Sequence, residues 1–199
     1  MKITIQSIIA IIGIFTVSGC GIQAIPKAKN EVEATFAEVQ NQYKRRADLI
    51  PNLVQVVKGY AAHEQETLTA VVEARNKAMQ VSVDPSKLDA QKMAEYQKAQ
   101  GELSQALGKL MVVVERYPDL KADGAFRDLQ AQLEGTENRI TVARQRHIRA
   151  IKEFNDLVTT PPSSWVNSWF YHHAKMPQWQ LEPDQAAAAA NPPAVDFKK

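Results

Sequence analysis

The chain has 199 residues, with 24 lysines and arginines against 22 aspartates and glutamates, and a formal net charge of +2. This length is enough for one domain with a substantial core. The balance is too close to neutral for a nucleic-acid footprint, and no basic stripe interleaved with aromatic residues runs through the sequence, so we expect no nucleic-acid partner. Cysteine occurs once, at Cys20, which excludes an internal disulfide and leaves packing to stabilise the fold.

The first nineteen residues have the layout of a secretory signal. Lys2 supplies a positive start, and an apolar run of about ten residues from Ile8 to Val17 follows it. A spanning helix needs roughly 20 apolar residues, and this run is shorter. The stretch Val17-Ser18-Gly19-Cys20 resembles a lipoprotein box, in which the cysteine becomes the first mature residue and carries acyl groups.

These features predict a signal peptide at residues 1–19, lipid attachment at Cys20, and a lipidated N-terminus and linker at residues 20–29. The alternative is an uncleaved signal anchor that crosses the inner membrane once. Both arrangements place the protein in the cell envelope with the membrane as a partner. Gly21 after the cysteine resembles the sorting choice for the periplasmic side of the outer membrane, if the organism is Gram-negative.

Residues 30–160 are predicted to form a helical bundle. The stretch is rich in helix-forming residues, and its apolar residues recur at alternating spacings of three and four. This spacing is typical of long helices packed at shallow angles. Turn signals at 83–86 and 117–124 divide the stretch, and such short connections make successive helices antiparallel neighbours. The predicted fold is therefore all-α, an antiparallel up-and-down bundle of three to four long helices.

Pro51 decides between three and four helices. Proline lacks an N–H and clashes with the carbonyl of Ala47, so it should kink or end a helix. The apolar spacing keeps its phase across Ile50 and Leu53, which favours one long kinked helix. The alternative is a hairpin in which Pro51 begins a new helix.

Two glycines lie seven residues apart in the third predicted long segment. Gly101 and Gly108 fall on one helical line. We expect them to allow close approach of a neighbouring helix, and the alternative is that they occupy tolerated surface positions.

Three polar residues fall on otherwise apolar seams: Arg46, Glu64 and His147. Burying an isolated charge is costly, so each should be paired or lie at a wet end of the bundle. Arg46 and Glu64 are ~27 Å apart along a straight helix, so each needs a partner on another helix. The favoured interpretation is that they fix helix register, and contact with a ligand or partner protein is the alternative.

No catalytic constellation is present in the sequence. The Glu-x-x-His pairs of di-iron bundles, the His-Glu-x-x-His zinc motif, a glycine-rich phosphate loop and a Gly-x-Ser-x-Gly elbow are all missing. We therefore expect a non-enzymatic protein with no metal site and no cofactor.

Residues 161–199 are predicted to form a short aromatic helix and a flexible tail. A serine cap at Ser163 or Ser164 precedes Trp165, Trp169 and Phe170, and a spacing of four puts the two tryptophans on one face. This helix is expected either to dock on the bundle end or to lie at a membrane or partner surface. The sequence after Leu181 carries too little apolar area to fold alone, which predicts a disordered tail.

The motifs of this chain resemble those of the LemA family of bacterial envelope proteins. The resemblance rests on the stretch Tyr43–Val54, on His63-Glu64, and on Glu137–Ile140 in the last long segment, and it spans roughly residues 30–197. It implies an antiparallel four-helix bundle on an N-terminal membrane attachment, with no established enzymatic activity. The chain departs from the family, which usually has Trp in place of Phe36 and Tyr-Asn in place of His147-Ile148.

The leading functional prediction is a membrane-anchored, non-enzymatic scaffold or adaptor for other envelope proteins of unknown identity. The alternative is a small-ligand-binding protein or an unrecognised enzyme of the cell envelope. A weaker third interpretation is direct membrane organisation through Lys44, Arg45 and Trp169. An enclosed pocket ringed by perturbed titratable groups would favour the alternative, whereas a solid core with an exposed aromatic patch would favour the scaffold.

Overall fold

The structure is a computed structural model that describes the backbone of residues 5–179 and the side chains of residues 22–179. All of the regular structure in this part of the chain is helical, which confirms the all-α prediction. The predicted lipid attachment at Cys20 and the predicted tail after Leu181 lie outside the described side chains. The helices are α1 (Ile5–Tyr60), α2 (Gln65–Gln80), α3 (Ala90–Val114), α4 (Pro118–Ala122), α5 (Gly124–Thr159) and α6 (Ser163–Val166), with a π-helical turn (Asn167–Tyr171) after α6.

Four of these helices are long and form the bundle. α1 packs along α5, and α2 packs against α3 and the second half of α1. The predicted seam of α1 is buried from Val32 to Val57, so the spacing of three and four correctly located the core. Fully burying one aliphatic or phenylalanine side chain stabilises a fold by roughly 1.5–3 kcal/mol, which makes this seam the main source of stability.

The break after the first long helix does not lie at Pro51. α1 continues through Pro51 to Tyr60, and the chain turns ten residues later, where Ala61 N donates to the Val57 carbonyl (2.8 Å) and Glu64 N to the Ala61 carbonyl (3.1 Å). The bundle therefore has four long helices, with the division between the first two at residues 61–64. Tyr60 is exposed and Ala61 is buried, so the buried seam changes phase at this turn.

Arg75 on α2 explains how α1 accommodates Pro51, one of the two prolines inside this helix. Pro51 has no N–H for the carbonyl of Ala47, and an unsatisfied buried carbonyl is costly. Arg75 Nε donates to that carbonyl at 2.8 Å. The Arg75 side chain thus replaces the hydrogen bond that Pro51 removes from α1, and it also joins α1 to α2.

Residues 22–29, which the sequence placed in a linker, belong to α1. Ile25 is fully buried and packs with Ile151 and Phe154 of α5. Because the helix is continuous and Ile25 is docked, residues 25–29 are already part of the bundle. None of the helices in the described residues combines the length and the apolar composition that a membrane crossing requires.

Aspartate caps define the starts of α3 and α5. Asp89 accepts hydrogen bonds from the backbone N–H groups of Gln91 (2.9 Å) and Lys92 (3.0 Å). Asp123 accepts from Phe126 N at 2.9 Å. Caps of this type contribute about 1 kcal/mol each, and they place the two predicted reversals where the turn signals indicated.

The chain after α5 folds back along the bundle. His172 has a positive φ of 55°, which reverses the chain, and residues 173–179 then run in extended form beside α5. The Asn155 side chain donates to the Met176 carbonyl (3.0 Å) and accepts from Met176 N (2.8 Å). The Asn167 side chain makes the same pair of bonds with His173, at 2.9 and 3.0 Å. Asn155 and Asn167 thus each bind both backbone groups of one residue in this segment, as a neighbouring β-strand would.

Candidate functional site

Arg46 lies at the centre of the bundle, on the buried face of α1. The residue is only 2% exposed. Its Nη1 donates to Ser104 Oγ at 2.9 Å, and its Nη2 donates to Gln100 Oε1 at 2.9 Å and to the Gln100 carbonyl at 3.2 Å. The Arg46 head group therefore binds two successive turns of α3.

The same guanidinium is linked to the other two long helices, directly to α5 and through Gln100 to α2. Nη1 lies 3.1 Å from Glu137 Oε2 on α5, and the Glu137 side chain is 54% exposed. Gln100 Nε2 donates to the Ala78 carbonyl of α2 at 3.3 Å. One connected network thus joins α1, α2, α3 and α5. This is the arrangement expected of a residue that fixes helix register, although the role itself stays a prediction.

The charge of Arg46 is only partly compensated. Its Nε is buried and has no hydrogen-bond partner among the described residues. The guanidinium carbon lies 5.0 Å from the centroid of the Tyr43 ring, close enough for a cation–π contact. The nearest carboxylate, Glu137, is half in solvent, so neutral hydrogen bonds and an aromatic face supply most of the environment of this cation.

A groove lies between α3 and α5, with Arg46 contributing to its lining. It has a volume of about 410 Å³ and is open to solvent. On each helix the lining residues follow the spacing i, i+3, i+4, i+7, so the groove is about 10 Å, or two helical turns, long. The lining is mostly apolar in surface, and its helical members are Ser104, Leu107, Gly108 and Met111 on α3 and Gln130, Leu133, Glu134 and Glu137 on α5.

Gly108 opens the groove on its α3 side. A Cβ atom built at Gly108 would meet no heavy atom of the described chain within 4 Å, and the same is true of Gly101. The prediction that these glycines permit close helix approach is therefore wrong. No neighbouring helix of the described chain reaches either position, and at Gly108 the space is part of the groove.

Glu64 lies at the other end of α1 from residue 22, as the last residue of the turn at 61–64 and directly before α2. Its Oε1 accepts hydrogen bonds from Arg116 Nη2 at 2.8 Å and from Tyr117 Oη at 3.0 Å. Both donors come from the connection between α3 and α4, so Glu64 has a partner on another element as its position on the seam predicted. The Arg116 side chain is 64% exposed, and an ion pair of this kind contributes about 0–1 kcal/mol.

His147 is fully buried between α5 and α1. Its Nδ1 lies 3.2 Å from Thr35 Oγ1, and its Nε2 is buried without a hydrogen-bond partner in the described part of the chain. Burial lowers the pKa of His147 from 6.5 to about 4, against the smaller opposing effect of a hydrogen bond to the Val32 carbonyl. The imidazole is therefore neutral at neutral pH, and it has no solvent-exposed surface in the described structure.

The aromatic residues lie far from Arg46, at the Ile22 end of the bundle. Trp165 is 58% exposed and Trp169 is 73% exposed, and nearby Tyr171 Oη donates to the Ile22 carbonyl at 2.8 Å. Lys44, on the exposed side of α1, is 22 residues beyond Ile22, about 33 Å along the helix. The structure therefore does not bring the Lys44-Arg45 pair and Trp169 onto one surface.

Several residues of the site were not identified from the sequence. Gln100 and Ser104 bind Arg46, yet in the sequence they are ordinary polar residues of an amphipathic helix. The signal for Glu137 was its place in the motif Glu137–Ile140. Within the described residues, no group of three or more His, Cys, Asp or Glu side chains is arranged to hold a metal ion.

Comparison with known proteins places this bundle. The sequence profile of the LemA family matches residues 35–197. The chain belongs to the LemA family. Arg46, Glu64, His147 and the whole groove lie within the matched range, so they are parts of the family domain.

Two groups of relatives are similar to this LemA family chain over most of its length. The protein LemA of Metamycoplasma hominis is 25% identical over 142 residues, which cover 70% of this chain and 58% of that protein. The magnetosome proteins MamQ 1 and MamQ 2 of Paramagnetospirillum magneticum are each 22% identical over 153 residues, which cover 68% of this chain and 56% of theirs. The chain thus spans less than two thirds of the length of these relatives.

The two departures from the usual LemA pattern are in contact with each other. The rings of Phe36 and His147 lie 5.1 Å apart between centroids. Phe36 and His147 therefore share a single place in the core between α1 and α5.

Proposed function

We propose that this LemA family protein is a membrane-anchored, non-enzymatic scaffold or adaptor of the cell envelope, and that the groove between α3 and α5 receives a segment of another envelope protein. The observation that carries the proposal is an open, mostly apolar groove on the side of the bundle. An amphipathic helix fits such a groove by placing side chains at i, i+3, i+4 and i+7 against it. A groove two turns long suits a short helical segment of a partner.

The chemistry of the lining describes the expected partner. Leu107, Met111 and Leu133 offer apolar contacts along the groove, and the carboxylates of Glu134 and Glu137 line its α5 side. We expect a helix with an apolar face bordered by lysine or arginine on the side that meets α5. Its cations would strengthen the contact most at low ionic strength.

A binding role fits the geometry better than catalysis. The groove is open, Arg46 already donates four hydrogen bonds, and His147 lies fully inside the core. Catalytic sites instead place titratable groups where they reach a substrate in a water-excluding cleft. The exposed aromatic side chains Trp165, Trp169 and Phe170 are one of the features that the scaffold prediction named.

Gly108 provides a sharp test of the groove. The Gly108→Leu variant fills the space, and it removes a helix-interior glycine that costs about 0.8–1 kcal/mol, so folding should not suffer. The matched control is Gly101→Leu, which makes the same change two turns away on α3 and outside the groove lining. A photo-crosslinking residue at Val112, which is 71% exposed and one turn from Gly108, reports the partner in cells.

We expect a discrete crosslinked protein in the parent and in the Gly101→Leu variant. Its yield should fall at least about tenfold in Gly108→Leu, the effect of losing roughly 1.4 kcal/mol of binding. Equal yields from the two glycine variants would show that the groove does not bind the partner. The helical circular dichroism of both variants must match the parent for the comparison to count.

Lipid attachment is tested separately at Cys20. We propose that Cys20 is acylated after removal of residues 1–19 and that the mature protein lies on the periplasmic side of the outer membrane if the organism is Gram-negative. Palmitate labelling should vanish in the Cys20→Ser variant, and membrane fractionation should find the labelled protein with outer-membrane markers. An unlabelled full-length chain in the inner membrane would instead identify an uncleaved signal anchor.

A small-ligand carrier is the second candidate function. The groove volume of about 410 Å³ falls within the range of roughly 300–1,000 Å³ typical of small-molecule sites. Native mass spectrometry of the purified full chain should then show a bound species of constant mass, and Gly108→Leu should remove it. The same spectrum without added mass would leave the protein partner as the occupant.

A further inference from the structure

Three large aromatic side chains are exposed together at the Ile22 end of the bundle. Trp165 is 58%, Trp169 73% and Phe170 65% exposed, on α6 and the π-helical turn that follows it. We call these three residues the aromatic patch. Large apolar side chains that lie together on a surface mark an interaction site, because removing each of them from water is favourable by a few kcal/mol.

The aromatic patch is held in place by the residues between its members. Asn167 is 6% exposed and hydrogen-bonds both backbone groups of His173. Tyr171 Oη donates to the carbonyl of Ile22 on α1 at 2.8 Å. One side of the turn is therefore fixed to the bundle while the other side faces outward, so the patch is a preorganised surface.

The position of the aromatic patch along the chain indicates which surface it faces. Ile22 follows Cys20 by two residues, which is about 3 Å along a helix, and the apolar run Ile8–Val17 lies just before it. An acyl group on Cys20 and an uncleaved apolar segment both enter the bilayer within about a turn of the carbonyl that Tyr171 binds. Whichever anchor is used, the aromatic patch lies beside the point where the chain meets the membrane.

Tryptophan and phenylalanine suit that position chemically. The indole ring has an apolar body and a polar N–H, and tryptophan is enriched at the headgroup level of membranes. Short helices with aromatic residues on one face bury that face about 5–10 Å into the boundary between headgroups and acyl chains. A partner protein would need a complementary apolar surface at the same level, whereas lipid is already there.

We propose that the aromatic patch inserts into the headgroup region of the membrane that holds the N-terminus of this chain. The inference rests on the membrane attachment in the proposed function and is independent of the groove. The anchor makes this second contact intramolecular, so weak insertion is enough to keep the patch bound. Two neighbouring attachment points then set the tilt of the bundle, which a single anchor leaves free.

Trp179 serves as an internal reference for a depth measurement. Its ring stacks on Tyr43 at an interplanar angle of 16°, and Arg144 lies 4.7 Å from its centroid. Tyr43 is 21 residues beyond Ile22, about 32 Å along α1. The chain contains three tryptophans, so two of them report the patch and the third reports a place remote from it.

The experiment uses the full chain in phosphatidylcholine vesicles with and without brominated acyl chains, which quench nearby tryptophan. The Trp179→Phe variant keeps only the patch tryptophans, and the matched control Trp165→Phe/Trp169→Phe keeps only Trp179. We expect brominated vesicles to remove most of the emission of Trp179→Phe and little of the emission of the control. The substitutions at the patch replace exposed side chains, and phenylalanine preserves the stack on Tyr43.

Vesicle flotation of every sample distinguishes insertion of the aromatic patch from membrane attachment of the chain. A chain that floats while the two variants are quenched equally, or not at all, overturns insertion of the patch and leaves membrane attachment standing. Blue-shifted patch emission without bromine quenching also overturns it, in favour of a second copy or a partner protein. A chain that does not float overturns the attachment, and the insertion with it.

Discussion

Replacing His147 with phenylalanine should remove a pH-dependent loss of stability. The imidazole is fully buried, and burial lowers the pKa of His147 from 6.5 to about 4. Its Nε2 makes no hydrogen bond to the described residues, so a carbon atom in that place loses no partner, whereas the Nδ1 contact with Thr35 is lost at every pH. Phenylalanine also retains an aromatic ring beside Phe36, whose centroid is 5.1 Å away.

The direction and the size of the change in stability with pH follow from proton linkage. Between pH 6.5 and about 4 the unfolded chain binds a proton at His147 that the folded chain does not, so the free energy of unfolding falls as the pH falls. The contribution is complete above 6.5 and is progressively lost towards 4. At about 1.4 kcal/mol per pKa unit, the loss reaches about 3 kcal/mol. That is a large part of the roughly 5–15 kcal/mol that stabilises a domain.

Urea unfolding of the full chain in mild detergent, followed by far-UV circular dichroism, measures this loss at several pH values. Carboxylates such as Asp84 and Asp123 have lowered pKa values because they accept hydrogen bonds from Ser86 and Phe126. Protonation of these carboxylates at low pH destabilises the parent and every variant alike. The difference in stability between parent and variant therefore reports the histidine alone.

The stability difference between His147→Phe and the parent should grow by about 3 kcal/mol in favour of the variant as the pH falls to about 4. The matched control is His63→Phe, which changes an exposed histidine and should give a curve parallel to that of the parent. Parallel curves for His147→Phe and the parent would refute the inference that the imidazole stays neutral in the folded state.

Three further results are expected. Gly101→Ala should stabilise the chain by up to about 1 kcal/mol in thermal unfolding, because its Cβ meets no described atom within 4 Å; a destabilised variant would contradict the open space. Arg46→Ala should cost about 3–5 kcal/mol in denaturant unfolding but Glu137→Ala only about 1 kcal/mol, since Glu137 is half exposed; equal losses would mean that the ion pair dominates. Asn155→Ala should speed proteolysis within 173–179 while helix content is kept, because both bonds to Met176 are lost; unchanged cleavage would show that packing alone holds the segment.

The helices were predictable because their signals are local. Alternating spacings of three and four locate a buried face within one helix, and aspartate or proline marks its ends. The turn at 61–64 was missed because the segment Ala61-Ala62-His63-Glu64 contains neither glycine nor proline. Pro51, the stronger local signal, lies inside α1 because Arg75 on another helix satisfies the freed carbonyl of Ala47. That compensation is 28 residues away and has no local trace.

The candidate site was predictable only in part for the same reason. A buried arginine on an apolar seam requires partners, and this much follows from Arg46 alone. The identity of Gln100, Ser104 and Glu137 as partners depends on how α3 and α5 are rotated against α1. The groove depends on this rotation too, because Gly108 lines an open space only if no other helix covers that face.

The docked start of α1 limits how far the bundle can move relative to the N-terminus. If the N-terminus is held at a membrane, a flexible linker at residues 20–29 would let the bundle move over that membrane, whereas a helix with Ile25 buried against α5 limits this movement. Arg46 is 24 residues beyond Ile22, about 36 Å along α1. The aromatic patch and the groove therefore lie about 35–45 Å apart along the bundle. If the patch lies in the headgroup layer and the bundle stands upright, a partner of the groove must present its helix some 35–45 Å from the membrane surface, so a segment embedded in the bilayer cannot be the occupant.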